Sequence, residues 1–246
     1  MARTDFTTPR LCVDDDLALD RPVPLGPEAA NYLVNVLRLK PGARVLVFNG
    51  RDGEFAAALS GERKRAALTP TALLRAQETP PPFEYLFAPL KHARLDYMAQ
   101  KAVEMGARSL RPVVTKRTQV TRFNLERLQA NAREACEQCG IIWRPEIHAP
   151  QSLDAALTAW PSERLLVFCD EDAPLSNPLD ALSAAPDAAG VGLLIGPEGG
   201  FDDDERAALL RLPNILRLSL GPRILRADTA AVAALALLQA RFGDWR

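Results

Sequence analysis

A chain of 246 residues, 48% of them hydrophobic and with a formal net charge of −1, has enough apolar material for one large or two modest packed domains. That balance excludes a disordered chain and a globally basic nucleic-acid binder, and no stretch approaches the roughly 18 continuous apolar residues of a membrane span. Met1-Ala2-Arg3-Thr4-Asp5-Phe6 lacks the apolar centre of a signal peptide, and Cys12, Cys136, Cys139 and Cys169 form no disulfide framework, so a cytoplasmic protein is expected.

Along the chain, Pro27–Leu39 reads as a helix with Ala30, Leu33, Val34 and Leu37 on one face. Arg44–Phe48 reads as a strand entered through Pro41-Gly42. Asn49-Gly50-Arg51-Asp52-Gly53 is a hairpin loop leading to a return strand over Glu54–Leu59. Gly61-Glu62-Arg63-Lys64 turns again into Ala66–Leu74. The pattern predicts a small β-barrel with one helix, over 1–75. Thr79-Pro80-Pro81-Pro82 is a stiff linker into a second domain, taken as 76–246.

Beyond the prolines, strands and helices alternate. Strands are predicted over Tyr85–Leu90, Ser109–Thr115, Leu165–Cys169, Val191–Ile195 and Ile215–Leu220. Helices are predicted over Arg94–Met105, Leu125–Cys139, Leu153–Ala159, Asp203–Leu210 and Thr229–Arg241. Near-continuous apolar strands between helices indicate an α/β fold with a parallel sheet covered on both faces. Ligands in such sheets bind beyond the carboxyl ends of the strands.

Residues 91–122 carry eight basic groups (Lys91, Arg94, Lys101, Arg108, Arg111, Lys116, Arg117, Arg122) against Asp96 and Glu104, a local charge of +6. Residues 123–246 carry 11 basic and 18 acidic groups, or −7. Such a segment suits phosphate contacts or a solvated face. On the helix within it, Leu95, Met98, Ala102 and Met105 form the inner side. Arg94, Tyr97, Lys101 and Glu104 form the outer side, where Tyr97 is placed to stack on a base. Cys136-x-x-Cys139 lacks the second ligand pair of a zinc site, with only His92 and His148 in the chain, and no metal is expected.

Two loops after the last strands carry the chemistry. The first is Gly196-Pro197-Glu198-Gly199-Gly200-Phe201. Its glycines allow close backbone approach, but no Lys-Ser/Thr follows them and the spacing is not GxGxxG. Glu198 would repel a phosphate, so the loop suits a ligand with little negative charge or one bearing positive charge; S-adenosylmethionine (SAM) carries a sulfonium and an ammonium. Asp202-Asp203-Asp204-Glu205 reads as a helix start with a capping box. The second loop is Gly221-Pro222-Arg223-Ile224-Leu225-Arg226, with Asp228 or Thr229 as the cap of an all-apolar helix, Ala230–Leu238, that a sheet or a partner subunit must bury.

Leu193-Leu194-Ile195-Gly196-Pro197-Glu198-Gly199-Gly200-Phe201 followed by Leu220-Gly221-Pro222-Arg223-Ile224-Leu225-Arg226 resembles the ribosomal RNA small-subunit methyltransferase E family, of the SPOUT class. Asn31-Tyr32-Leu33, Val36-Leu37-Arg38 and Phe48-Asn49-Gly50 resemble its N-terminal PUA-like domain. Gln100–Ala107 and Glu134–Gly140 resemble its middle segments. The resemblance implies a PUA-like β-barrel domain followed by a SPOUT α/β domain with a C-terminal trefoil knot, acting as a homodimer on N3 of a uridine in 16S rRNA of the small subunit. It implies SAM as cofactor, held by Leu194, Gly196, Glu198, Gly199, Gly200, Leu220, Gly221, Ile224 and Leu225. Arg38, Lys91, Arg94 and Lys101 are then the expected RNA contacts. Two positions depart from the family: Ile141, where an arginine is usual and Arg144 stands nearby, and Asp228, where a glutamate is usual.

Methylation at uridine N3 displaces its proton and throws charge onto the flanking carbonyl oxygens, which a fixed cation would stabilise. Arg226 is the first candidate and Arg117 the second; Asp228 and Glu198 are candidate bases. Lys101 and Arg117 precede the two loops in the chain and need not line the pocket. A SPOUT enzyme acting on ribose oxygen or transfer RNA is the nearest alternative. A non-catalytic rRNA-binding assembly factor is the other, and SAM binding separates it.

Overall fold

The computed structural model describes residues 5–61, 65–120, 123–174 and 177–245. Arg122 and the turn residues Glu62, Arg63 and Lys64 lie outside the described residues. The chain forms two compact units: one ends at Thr79 and takes in Arg133–Arg144, and the other comprises Pro80–Ala132 and the chain from Pro145.

The first unit is built on a curled sheet of β1 (Arg10–Cys12), β2 (Val23–Pro24), β3 (Arg44–Phe48), β4 (Glu54–Ser60) and β5 (Ala67–Arg75), in the order β1-β3-β4-β5-β2. β1 runs parallel to β3 and the remaining pairs are antiparallel, so the expected hairpin stands. Helix α1 is shorter than its periodicity suggests. It covers Pro27–Asn31 and continues as a π-helical turn over Tyr32–Val36. Leu37 N–H reaches back five residues to Tyr32 O (2.9 Å), and Arg38 then turns left-handed at φ 55°, which ends the helix. The expected apolar face holds: Ala30 and Leu33 are buried beside Val45, Val47 and Leu68, with Val34 and Leu37 packed against them.

Residues Arg133–Arg144 join this unit through polar clamps. Buried Glu54 accepts from Arg10 Nε (2.6 Å) and Arg75 Nε (2.9 Å), while Arg75 Nη2 also donates to Gly140 O (2.8 Å). Burial pushes the Glu54 carboxyl up, but the hydrogen bonds and charges of Arg75 and Arg10 outweigh it, and the net direction is down. Arg144, next to the atypical Ile141, pairs with Asp14 at 2.8 Å. Its stem lies where a Cβ on Gly50 would stand, 2.7 Å from Cγ, and Gly50 has φ 81°. Gly50 is therefore required twice over, by the hairpin turn and by the arginine laid across it.

In the second unit the elements are β6 (Phe83–Phe87), α2 (His92–Glu104), β7 (Ser109–Val114), α3 (Leu125–Cys139), β8 (Glu146–Ile147), β9 (Gln151–Ser152), α4 (Leu153–Thr158), β10 (Leu165–Cys169), α5 (Pro178–Ser183), β11 (Val191–Ile195), α6 (Asp203–Leu210), β12 (Ile215–Leu218) and α7 (Ala227–Phe242). The second half of α3 groups with the first unit. The strands are parallel in the order β12-β10-β11-β6-β7-β8, with β9 also on β7. Every residue of β6 and β11 is buried; β11 accordingly reads as an unbroken apolar run, and β6 is broken only by Glu84, whose buried carboxylate is paired with Arg111 and Arg164. Leu86, Phe168, Leu194 and Leu209 meet in the core on one side of the sheet.

Helix α7 packs against α2, α5 and β11. It starts at Ala227, not Thr229: Arg226 is the N-cap in extended conformation, and no side chain caps it, which corrects the expectation of an Asp228 or Thr229 cap. Asp228 sits in the first turn, where its charge favours the positive helix end. Among the described residues no helix is long and apolar enough to cross a membrane.

Candidate functional site

β10, β11 and β12 are neighbours, and their carboxyl-end loops converge on a cavity of about 650 Å³. The loop after β10 contributes Cys169, Asp170 and Glu171. The loop after β11 contributes Ile195, Gly196, Pro197, Glu198, Gly200 and Phe201. The loop after β12 and the start of α7 contribute Leu218 to Ala227 and Ala230, and Arg94 of α2 reaches in from the side.

The glycines of the first loop have distinct reasons. Gly200 has φ 69° and closes a turn by donating its N–H to Pro197 O (2.9 Å). A Cβ there would stand 3.1 Å from Glu171 Oε2. Gly196 makes room for the Phe201 ring, which a Cβ would approach to 2.8 Å, and Phe201 in turn meets Phe168 edge-on at 6.1 Å. Gly199 is unlike either. A Cβ on it would rest at an ordinary 3.5 Å from Arg117 Cδ, and it does not face the cavity. Leu194 does not face it either: it is fully buried in the core under the loop, because its neighbour Ile195 takes the outward position of the alternating strand. Neither residue is among those that line the cavity. Gly196, Glu198, Gly200, Leu220, Gly221, Ile224 and Leu225 are brought together as expected, and Ile224 is 98% exposed at the rim.

The acidic run after the loop forms a helix start. Asp202 and Glu205 make a reciprocal capping box, and Glu205 Oε1 also accepts from the Lys116 N–H (2.7 Å). Lys116 Nζ lies 2.6 Å from Asp202 and 2.8 Å from Asp204, which raises the lysine and lowers Asp202. Among the described residues no cluster of His, Cys, Asp and Glu could hold a metal ion. Cys136 is buried and Cys139 is exposed, so the two do not present a common face.

The basic segment turns out to be largely paired. Arg94 pairs with Glu198 across the cavity, Lys101 with Glu104, Arg111 with Glu84, and Lys116 as above. Arg117 Nη1 donates to Gly199 O (2.7 Å), so it touches the glycine loop without lining the cavity. Lys91 and Arg108 are exposed and have no ion-pair partner among the described residues. On α2, Met98, Ala99, Ala102 and Val103 are buried, while Tyr97 is exposed with the Lys101 ammonium 5.7 Å from its ring centre.

Arg226 lines the cavity, and its guanidinium has no partner among the described residues. Neither nearby carboxylate pairs with it: Glu198 pairs with Arg94, and Asp228 accepts from the Thr229 N–H (3.0 Å) and forms no ion pair among the described residues. The sequence reading missed the third wall of the cavity, the loop after β10. Asp170 there is buried and receives Arg217 Nε (2.6 Å), Arg206 Nη2 (3.1 Å) and Arg206 Nε (3.2 Å). Burial raises its carboxyl, yet the bonds from Arg206 and Arg217 hold it below the usual range. No motif marks this loop; its signal lies only in its place after a central apolar strand.

A parallel sheet with a three-loop cavity at its carboxyl edge, following a small β-domain, defines the class, and a model of the RNA methyltransferase domain matches residues 77–239. A model of the RNA methyltransferase PUA domain matches 25–70. The chain belongs to the ribosomal RNA small subunit methyltransferase E family. It is 31% identical over 94% of its length to ribosomal RNA small subunit methyltransferase E of Synechocystis sp., of which it covers 77%. A methyltransferase from Legionella pneumophila, solved with bound SAM, is similar with a TM-score of 0.83, 30% identity, and coverage of 96% of this chain and 99% of that one. Ribosomal RNA small subunit methyltransferase E from Neisseria gonorrhoeae, solved with SAM, gives a TM-score of 0.87 at 26% identity, covering 97% of this chain and 100% of the other.

Proposed function

We propose that this chain transfers a methyl group from SAM to N3 of a uridine in 16S ribosomal RNA, in the context of the small subunit and in the cytoplasm. The observation that carries this reading is the three-loop cavity with an unpaired arginine at its rim, in a chain of this family. The residues suit the cofactor. The cavity volume lies within the range of small-molecule sites, Ile195, Leu220 and Leu225 offer apolar surface to an adenine, and carboxylates stand where a phosphate-binding loop would place cations. The sulfonium methyl is the group the cofactor supplies when bound.

The residues divide the remaining work. The loops hold the reacting groups in line, which is the larger part of catalysis in a direct displacement. Arg226 stabilises negative charge on the uracil carbonyl oxygens as the N3 proton leaves. Arg117 is less suited to that role, because its guanidinium is engaged with the Gly199 carbonyl. Glu198 and Asp228 stay as candidate acceptors for the N3 proton. Label from methyl-tritiated SAM should appear in small-subunit rRNA; absence of transfer to both assembled subunits and naked 16S rRNA contradicts the reading.

The first unit, with Arg38 exposed in a left-handed bend, and Lys91 at the head of α2 provide RNA contacts in this reading, with Arg94 and Lys101 joining once their carboxylate partners release them. Replacing Arg38 and Lys91 together by Ala should lower the slope of log affinity against log salt by roughly 1.5 to 2 units. An unchanged slope removes both from the interface.

A homodimer also belongs to this reading. Val232, Ala233, Ala236 and Leu237 leave α7 half-buried, an apolar stripe suited to a second copy. Light scattering at micromolar concentration should return twice the chain mass, and the chain mass alone contradicts the dimer. With β10 lying between β11 and β12, the loops that wall the cavity are those that the family's trefoil knot would thread.

A further inference from the structure

Three carboxylates and three arginines face the cavity: Asp170, Glu171 and Glu198, with Arg94, Arg223 and Arg226. Two of the carboxylates are already satisfied. Asp170 is held by Arg206 and Arg217, and Glu198 by Arg94. Glu171 is different, for it has neither an ion pair nor a hydrogen bond among the described residues. Its carboxylate lies against the glycine loop, with Oε2 3.1 Å from the position of a Cβ on Gly200.

Glu171 is also fixed in place. Asp170 turns inward and Glu171 outward, as successive residues do leaving a strand. The Asp172 N–H donates to Asp170 Oδ1 (3.1 Å) and the Ala173 N–H to Asp170 O (3.0 Å), while Arg217 Nη2 donates to Asp172 O (2.6 Å). The loop therefore carries Glu171 on a backbone anchored at both flanks, so little ordering remains to be done when a ligand arrives. An unpaired carboxylate on the wall of a half-open cavity favours a cationic ligand group, and more strongly once the ligand expels water.

We propose that Glu171 is a cofactor-recognition residue whose carboxylate pairs with a cationic group of SAM. This rests on SAM being the cofactor, and the test separates the two claims. Calorimetry compares the wild type with Glu171→Gln, which keeps the size and removes the charge, against SAM and against 5′-methylthioadenosine. The latter keeps the adenosine and the 5′-sulfur with its methyl, as a neutral thioether, and so bears neither the sulfonium nor the ammonium. Glu171→Gln should bind SAM about 10-fold or more weakly, the scale of one charge-assisted bond. Its affinity for methylthioadenosine should match the wild type, and Glu171→Asp should recover most of the SAM affinity. Because Glu171 is exposed, the melting temperatures should agree. Unchanged SAM affinity in Glu171→Gln overturns the proposal, as does an equal loss for both ligands, which would mark a wall or ribose contact. A wild type that binds no SAM would instead defeat the cofactor assignment itself.

Discussion

Arg226→Lys should lower the single-turnover methylation rate about 100-fold or more, on the scale of removing one oxyanion donor, while leaving SAM affinity nearly unchanged. The argument starts from the loop after β12. Gly221 at φ 98° turns the chain, and Ala230 N–H donates to Arg226 O (2.8 Å), so the arginine backbone is fixed at the head of α7. Its side chain is exposed at the cavity and unpaired; Glu198 pairs with Arg94, and Asp228 makes no ion pair with it. A structural arginine of this kind would be paired. A uracil losing its N3 proton spreads charge over two carbonyl oxygens, and a planar guanidinium meets such a pair with parallel donors. Lysine keeps the charge and loses the fork. Since the charge develops during reaction, the loss should fall on the chemical step rather than on binding. A normal rate with a lowered melting temperature would assign Arg226 to structure instead.

Gly200→Val should weaken SAM binding by roughly 30-fold or more. Its φ of 69° costs a β-branched residue ~2 kcal/mol, and the added Cβ meets the Glu171 carboxylate at 3.1 Å. The turn closed on Pro197 O must then shift, and with it both the β11 loop and the wall formed by Glu171. Gly199→Ala is the matched control. Its backbone is not left-handed and its Cβ would rest in ordinary contact with Arg117, so its affinity should stay within about twofold of the wild type. Calorimetry on both folded variants checks the contrast; wild-type affinity in Gly200→Val would show that the turn does not shape the site.

Much of this was legible before any coordinates. β3, α3, β10, β11 and α6 fall on their predicted residues, because each is a sustained period-2, period-3.6 or continuous apolar pattern with clear punctuation. β1, β2, β8 and β9 are two or three residues long, too short for a period to show. α5 was missed because Pro178–Ser183, six residues long, completes fewer than two turns. The two glycine loops announced the cavity, yet the sequence does not show which glycines are hemmed in: Gly200 and Gly50 combine a positive φ with Glu171 and Arg144, distant in sequence, standing close to where a Cβ would be, whereas Gly196 has no positive φ and only makes room for the Phe201 ring. The +6 segment misled for a related reason. Net charge along the chain does not reveal pairing in space, and Glu84, Glu198, Asp202 and Asp204 absorb much of it.

The most direct test of the central claim is the identity of the methylated nucleoside. Small subunits or 16S rRNA lacking the modification are incubated with the wild-type protein and methyl-labelled SAM, digested to nucleosides, and separated by chromatography with mass detection. The account predicts label in 3-methyluridine alone, and its loss with Arg226→Lys. Label in a ribose-methylated nucleoside, or in transfer RNA in place of 16S rRNA, would contradict it.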